Sequence, residues 1–242
     1  MISASFRQRF RATIEQPVAR VFARTGLSPN ALTLIGFAVA VVGAILAAQQ
    51  GWLLAGLVVA FGAVFDLFDG ALARATGKTS KFGAFLDSTM DRAGEAVVYI
   101  GIAAGAISAG IEGIAVLAGC AMAAAFMVSY TRAKSESLGF SSGSGMANVG
   151  LAPREIRTAI LVIGLIVLAL MGGIGPWTVT CPPVLLSANQ PGGFCNVAQF
   201  QAGDIILGGT LALITILATV TAVQRIYFVY RQSQSSNEGA KK

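Results

Sequence analysis

Apolar residues form six long runs along the chain, separated by short stretches that carry most of the charged and turn-forming residues. The runs cover residues 31–48, 52–73, 82–107, 111–130, 156–171 and 205–223. A helix that crosses a bilayer needs about 20 mostly apolar residues. The runs do not show the period-two alternation of membrane strands. The pattern therefore predicts an all-α integral membrane protein with six transmembrane helices.

The residues before the first run predict one further element. Ile2, Phe6, Phe10 and Ile14 recur every four residues beside several arginines, as in an amphipathic helix that lies in the headgroup layer. A frayed basic leader is the alternative. We therefore divide the chain into an N-terminal interfacial amphipathic helix at 1–25, a six-helix membrane domain at 26–230 and a polar tail at 231–242.

Charged residues are few and lie at the ends of the runs. Only 12% of the 242 residues are charged, the net charge is +6 and the mean hydropathy is +0.73, unlike ordinary soluble domains. Lys and Arg are confined to the first 24 residues, 74–92, 132–157 and the chain from 225 onward. By the positive-inside rule, both termini and the 2–3 and 4–5 connections are cytoplasmic. We expect a multi-pass protein of the cell (plasma) membrane and no nucleic-acid partner.

The three cysteines do not predict a disulfide framework. Cys120 lies within the fourth run and is most simply a small packing residue. Cys181 and Cys195 share the uncharged 173–203 loop, on the side opposite the basic connections. Those two cysteines could be linked by a disulfide there.

Acidic residues are concentrated where the second run ends and the third begins. Asp66 and Asp69 lie near the end of the second run, and Asp87 and Asp91 near the start of the third. One aspartate costs roughly 2.5 to 3.5 kcal/mol at the middle of a membrane helix and less near its end, so four of them need a compensating partner. Two neighbouring arginines are too few to neutralise four carboxylates.

Helical periodicity explains how a metal could be that partner. The first two aspartates are three residues apart and the last two are four apart, so each pair lies on one face of its helix, and a short turn brings the helices together. Oxygen ligands, in a chain without histidine and with no cysteine nearby, suit Mg²⁺, Mn²⁺ or Ca²⁺ rather than zinc. Gly83, one turn before Asp87, leaves room for a substrate.

The same segment carries a specific motif. Residues 66–91 read D-x-x-D-G-x-x-A-R-x(8)-G-x-x-x-D-x-x-x-D, which resembles the signature of the CDP-alcohol phosphotransferases, membrane enzymes of phospholipid synthesis. The resemblance implies transfer of a phosphatidyl group from CDP-diacylglycerol to a small alcohol with release of CMP, in a homodimer. It also implies two Mg²⁺ ions, with Mn²⁺ as the alternative, held by Asp66, Asp69, Asp87 and Asp91, and it implies that Asp91 is the general base.

The resemblance further assigns residues to the CDP-lipid. Those within the motif that would line the nucleotide site are Asp69, Gly70, Ala73, Arg74 and Gly83. Ser28-Pro29-Asn30-x-x-Thr33 is similar to the start of the first helix in the family, so Pro29 and Thr33 are expected to border the nucleotide. A simple helix cap by Ser28 is an equally good interpretation.

Cationic residues at the depth of the aspartates suggest an acceptor that carries its own phosphate. They are Arg132, Lys134, Arg154, Arg157 and Arg225. This pattern is similar to that of the phosphatidylinositol phosphate synthases of bacteria and their archaeal relatives, which implies inositol 1-phosphate as the acceptor. Pro153 stands where those enzymes usually have Glu, and the order of Arg132 and Lys134 is reversed, so glycerol 3-phosphate, serine or another polyol stays an alternative.

Other interpretations of the charged residues predict other functions. The cations could be ordinary positive-inside anchors, and the aspartates could cap helices and pair with nearby Lys and Arg. A cation transporter would place acidic residues deep in several helices, whereas here they cluster at one edge with Glu95 about a turn deeper. A non-catalytic scaffold would tolerate the loss of an aspartate, and all four are retained.

Overall fold

The computed structural model describes residues 27–75, 79–140, 149–174 and 202–239, with side chains for all of these except 66–75 and 235–239. Every regular element in these ranges is a helix, which confirms the all-α prediction. The helices are α1 Pro29–Ala48, α2 Trp52–Ala75, α3 Lys81–Ser108, α4 Glu112–Ser137, α5 Arg154–Leu170 and α6 Ala202–Gly239.

Two of the helices extend well beyond the apolar runs that predicted them. The fourth helix continues to Ser137 and the sixth to Gly239, so Arg225 lies inside α6 and most of the predicted polar tail at 231–242 is helical. An apolar run indicates contact with lipid, whereas a helix continues through polar residues of adequate helix propensity. The predicted amphipathic helix at 1–25 lies outside the described residues, as do Cys181, Cys195 and nearly all of the 173–203 loop.

One serine caps the first helix, and two glycines explain how the third helix packs against it. The Ser28 hydroxyl accepts a hydrogen bond from the Ala31 N–H at 3.2 Å, so the predicted cap of α1 is present. Gly101 and Gly105 let α3 approach α1 closely, since a Cβ added to either would lie 2.2 or 2.4 Å from a carbonyl oxygen of α1. The C-terminal half of α3 is thereby packed closely against the C-terminal half of α1.

The exterior of the helices is strongly apolar. Leu, Ile, Val and Phe side chains are exposed on all six helices, which in water would be a large unprotected apolar surface. Among the described residues, α1, α4 and the Ala202–Gln234 part of α6 are long and apolar enough to cross a bilayer. The fifth helix has only 17 residues, and the first half of α3 carries charged side chains. These charged side chains point to a site between α3 and its neighbours.

Candidate active site

The third helix presents two of the predicted aspartates to a cavity. The Ser80 hydroxyl accepts a hydrogen bond from the Gly83 N–H at 2.9 Å and caps the helix, so that Asp87 and Asp91 follow at helical spacing on one face. Both line a cavity of about 430 Å³ between α2, α3 and α5, whose wall also includes Ala63 and Thr158. This volume lies within the range of small-molecule sites.

A second cavity adjoins the first. Asp91, Arg154, Ala63 and Thr158 line both cavities, and the second one extends to Thr33 on α1. The first helix therefore contributes to the same site, and Asp91 and Arg154 lie where the two cavities meet.

The predicted general base and one predicted acceptor residue are in direct contact. The Nη1 atom of Arg154, the first residue of α5, lies 2.6 Å from Oδ1 of Asp91, and the two side chains are 30% and 21% exposed. A cation that can bind a phosphate and a carboxylate that can accept a proton are thus adjacent at the surface of the cavities.

The next arginine along α5 has a different partner. Arg157 donates from Nε and Nη2 to the two carboxylate oxygens of Glu95, each at 2.8 Å, and from Nη1 to the Ala152 carbonyl at 2.9 Å. The side chains of Arg157 and Glu95 are only 1% and 10% exposed. Arg157, which we predicted from the sequence to bind the acceptor phosphate, lies in the interior, and no partner for Glu95 was predicted. The sequence did contain one indication of this second pair. Glu95 follows Asp91 by four residues and Arg157 follows Arg154 by three, so each lies on the same helix face as the residue before it.

The remaining predicted acceptor cations lie on α4 and α6. Arg225 is 4% exposed and donates from Nε to the Val149 carbonyl at 3.0 Å and from Nη1 to the Val128 carbonyl at 2.6 Å. Arg132 pairs with Glu136 within α4 at 2.9 Å, with both side chains nearly half exposed, and Lys134 is exposed. In the described part of the chain, Arg154 is the predicted acceptor cation that lines the two cavities with Asp91.

The predicted nucleotide residues on α1 and α3 lie close to one another. A Cβ added to Gly83 would lie 3.2 Å from Oδ1 of Asn30, so the glycine faces the start of α1, where Pro29 occupies the first turn. Thr33 donates from Oγ1 to the Pro29 carbonyl at 3.2 Å and reaches the second cavity. The other predicted residues belong to the helical backbone of α2, where side chains are not described: Asp66, Asp69, Gly70, Ala73 and Arg74.

An apolar exterior with paired carboxylate and arginine side chains beside a cavity between the helices is typical of a functional site in a membrane protein. The profile of the CDP-alcohol phosphatidyltransferase family matches residues 26–186. Since that match spans well over half of the chain, this protein belongs to the CDP-alcohol phosphatidyltransferase family. It is a membrane transferase of phospholipid synthesis.

Several relatives have the same kind of name. An archaetidylinositol phosphate synthase of Pyrococcus horikoshii is 40% identical over 158 residues, covering 64% of this chain and 79% of the relative. A phosphatidylinositol phosphate synthase of Streptomyces avermitilis is 31% identical over 237 residues, covering 96% of this chain and 84% of the relative. This chain is therefore similar in sequence to synthases of inositol phosphate lipids.

Solved structures show the same fold. The crystal structure of Mycobacterium tuberculosis phosphatidylinositol phosphate synthase with CDP-DAG bound is similar with a TM-score of 0.68 and 26% identity, covering 90% of this chain and 94% of that one. The structure of the same synthase in complex with manganese and citrate also has a TM-score of 0.68, at 25% identity, and covers 90% and 89% of the two chains.

Proposed function

We propose that this enzyme transfers the phosphatidyl group of CDP-diacylglycerol to a hydroxyl of inositol 1-phosphate, giving phosphatidylinositol phosphate and CMP. The observation that carries the proposal is the contact of Arg154 with Asp91 where the two cavities meet. The names of the relatives, which are inositol phosphate lipid synthases, support the same acceptor.

Arg154 and Asp91 have complementary roles in this reaction. The guanidinium binds the phosphate of the acceptor, since Arg is well suited to phosphate oxygens. A hydroxyl of the same molecule then lies near the Asp91 carboxylate, which accepts its proton when it is within about 2.6 to 3.2 Å. Binding an acceptor phosphate requires the guanidinium to share or exchange its contact with Asp91, which couples acceptor binding to the release of the base.

The donor occupies the other part of the site. Gly83, Pro29 and Thr33 form the side towards α1 and border the nucleotide, together with Asp69, Gly70, Ala73 and Arg74 on α2. The apolar wall of the larger cavity, which includes Ala60, Val64 and Val162, suits the lipid part of the donor. Arg132, Lys134 and Arg225 complete the cationic surroundings of the acceptor.

The carboxylate side chains of the site are also suitable ligands for divalent metal ions. Asp87 and Asp91 supply two carboxylates to one cavity, and residue 66 follows the cavity-lining Ala63 by three positions, hence on the same face of α2. We infer that Asp66, Asp69, Asp87 and Asp91 hold two Mg²⁺ ions, or Mn²⁺. Such ions neutralise a pyrophosphate and stabilise a leaving phosphate group when they are bound. The structure of the relative with manganese supports a divalent ion.

The arrangement in the membrane follows from the charges. We propose that all six helices cross the plasma membrane, with both termini, the interfacial helix at 1–25 and the active site on the cytoplasmic side, because the basic residues lie at that end. The membrane domain spans 26–230 and the tail covers 231–242. A homodimer is the assembly that the family implies.

Release of CMP by purified protein tests the proposal. The protein in detergent is given CDP-diacylglycerol, Mg²⁺ and one of inositol 1-phosphate, inositol, glycerol 3-phosphate or serine. We expect CMP release with inositol 1-phosphate, and a loss of roughly 10² to 10⁴-fold in Asp91→Asn, which removes the base. Release with glycerol 3-phosphate or serine instead would keep the enzyme class and overturn the acceptor.

A further inference from the structure

We infer that Glu95 and Arg157 are positioning residues that fix the first turn of α5, so that Arg154 meets Asp91. This inference rests on the proposed function, since it assigns Arg154 to the acceptor. It also separates Arg157 from the acceptor site, because all three of its guanidinium nitrogens donate to protein oxygens in the interior.

Helical spacing aligns the two ion pairs. Glu95 follows Asp91 by four residues on α3 and Arg157 follows Arg154 by three on α5, so both pairs join the same faces of the same two helices. Three to four residues correspond to a displacement of about 4.5 to 6 Å along a helix. Fixing the deeper pair therefore limits both the rotation and the translation of α5 relative to α3 at Arg154.

The two helices need such a link because their backbones are not closely packed. Among the described residues, α5 packs closely against α2 and α6, and α3 against α1 and α4, whereas α3 and α5 are not a close pair. A cavity lies between them. The side chains of Glu95 and Arg157 span this gap and thereby set the distance between Arg154 and Asp91.

The segment before α5 is held by the same arginine. The N-cap residue Pro153 makes no side-chain cap, so the start of the helix depends on other contacts. Arg157 binds the Ala152 carbonyl, and the Thr221 hydroxyl accepts hydrogen bonds from the N–H groups of Leu151 and Ala152 at 3.1 and 3.0 Å. Gly150 makes this approach feasible, because a Cβ there would lie 2.2 Å from Cγ2 of Thr221 and its φ is +126°.

A double-mutant cycle on the full-length enzyme tests the inference. Glu95→Gln is expected to raise the KM for the acceptor by roughly tenfold or more, with the KM for CDP-diacylglycerol within about twofold, because misplacement of a binding group is costly. In an Arg154→Ala background the same change should have no further effect on the acceptor KM. Glu112→Gln, at the far end of α4 from Arg132, is the control for loss of a carboxylate.

Two results of the cycle would contradict the positioning role. One is an equal effect of Glu95→Gln in both backgrounds, and the other is a loss of folded protein with an unchanged acceptor KM in the fraction that folds. If the wild-type enzyme releases CMP with a different acceptor, the proposed acceptor fails, and the cycle is measured with the acceptor that is used. The two failures are therefore distinguishable.

A second variant covers the case in which Glu95→Gln does not fold. Glu95→Asp retains both charges and shortens one partner by a methylene. Hydrogen exchange then gives a measurement that needs no turnover: amides of residues 151–157 should exchange about tenfold faster, and those of 161–168 at the wild-type rate, as expected for a local loss of stability. Wild-type protection at 151–157 in this variant would overturn the inference.

Discussion

The two ion pairs between α3 and α5 have the same chemistry and different surroundings. Asp91 and Arg154 are 21% and 30% exposed and line the cavities, whereas Glu95 and Arg157, one turn further along both helices, are 10% and 1% exposed. Water can reach the first pair where the two cavities meet, and under the proposed function a ligand can there replace the carboxylate as the partner of Arg154. In the second pair Arg157 is fully buried, and Glu95, which also lines the second cavity, is held by two hydrogen bonds from Arg157.

The two ion pairs differ in burial, and burial changes what an ion pair contributes to stability. An ion pair contributes less to stability the more water reaches it, and a fully exposed pair typically contributes about 0 to 1 kcal/mol. Breaking a buried pair by removing one partner leaves an uncompensated charge and costs about 3 to 5 kcal/mol. We therefore assign the outer pair, Asp91 and Arg154, to the reaction. The inner pair, Glu95 and Arg157, positions the outer pair.

Removal of the inner carboxylate should have the largest effect on stability. Glu95→Gln is expected to lower the free energy of unfolding by about 3 to 5 kcal/mol, because Arg157 stays charged and buried. Arg154→Gln, which breaks the outer pair, should change it by less than about 1 kcal/mol. Unfolding in mixed detergent–SDS micelles measures both variants. Equal losses would show that the two pairs do not differ in burial as the structure indicates.

The sequence predicted the two aspartates of α3 and both arginines of α5 as site residues, but it predicted neither of the two ion pairs. The spacing of Asp87 and Asp91 within one helix is local, so periodicity alone placed both on one face. The contact of Arg157 with Glu95 joins residues 62 positions apart, and no local pattern encodes it. Arg154 and Arg157 therefore looked equivalent as cations at one membrane depth, and only the packing of α5 separates the exposed residue from the buried one.

At the ends of the helices, too, the sequence did not predict contacts between distant residues. Apolar runs predicted where each helix lies, because the exclusion of charge from lipid is strong. They did not predict that Arg225 would lie within a continuous α6 and bind the carbonyls of Val128 and Val149. Such contacts depend on which polar groups the tertiary fold leaves to be satisfied. The carbonyl of Val128 on α4 and that of Val149 before α5 come within reach of Arg225 only in the folded bundle.

Loss of the threonine hydroxyl behind the inner pair should have an intermediate effect. Thr221→Val keeps the shape of the side chain and removes the acceptor for the N–H groups of Leu151 and Ala152, which should destabilise the protein by about 1 to 3 kcal/mol. Thr215→Val, on the same helix, is the control, since its hydroxyl bonds only its own helix in the described contacts. Equal stability of the two variants would show that the segment before α5 does not depend on Thr221.

Exchange of the outer arginine for lysine should have the smallest effect on stability and a selective effect on the acceptor. Arg154→Lys retains the charge next to Asp91 but loses the planar guanidinium that matches a phosphate. We expect the acceptor KM to rise about tenfold, equivalent to about 1.4 kcal/mol, with little change in the KM for CDP-diacylglycerol or in the free energy of unfolding. Steady-state CMP release with each substrate varied in turn measures the two constants. A rise in the donor KM alone would place Arg154 at the lipid phosphate, and would leave the acceptor to the cations of α4 and α6.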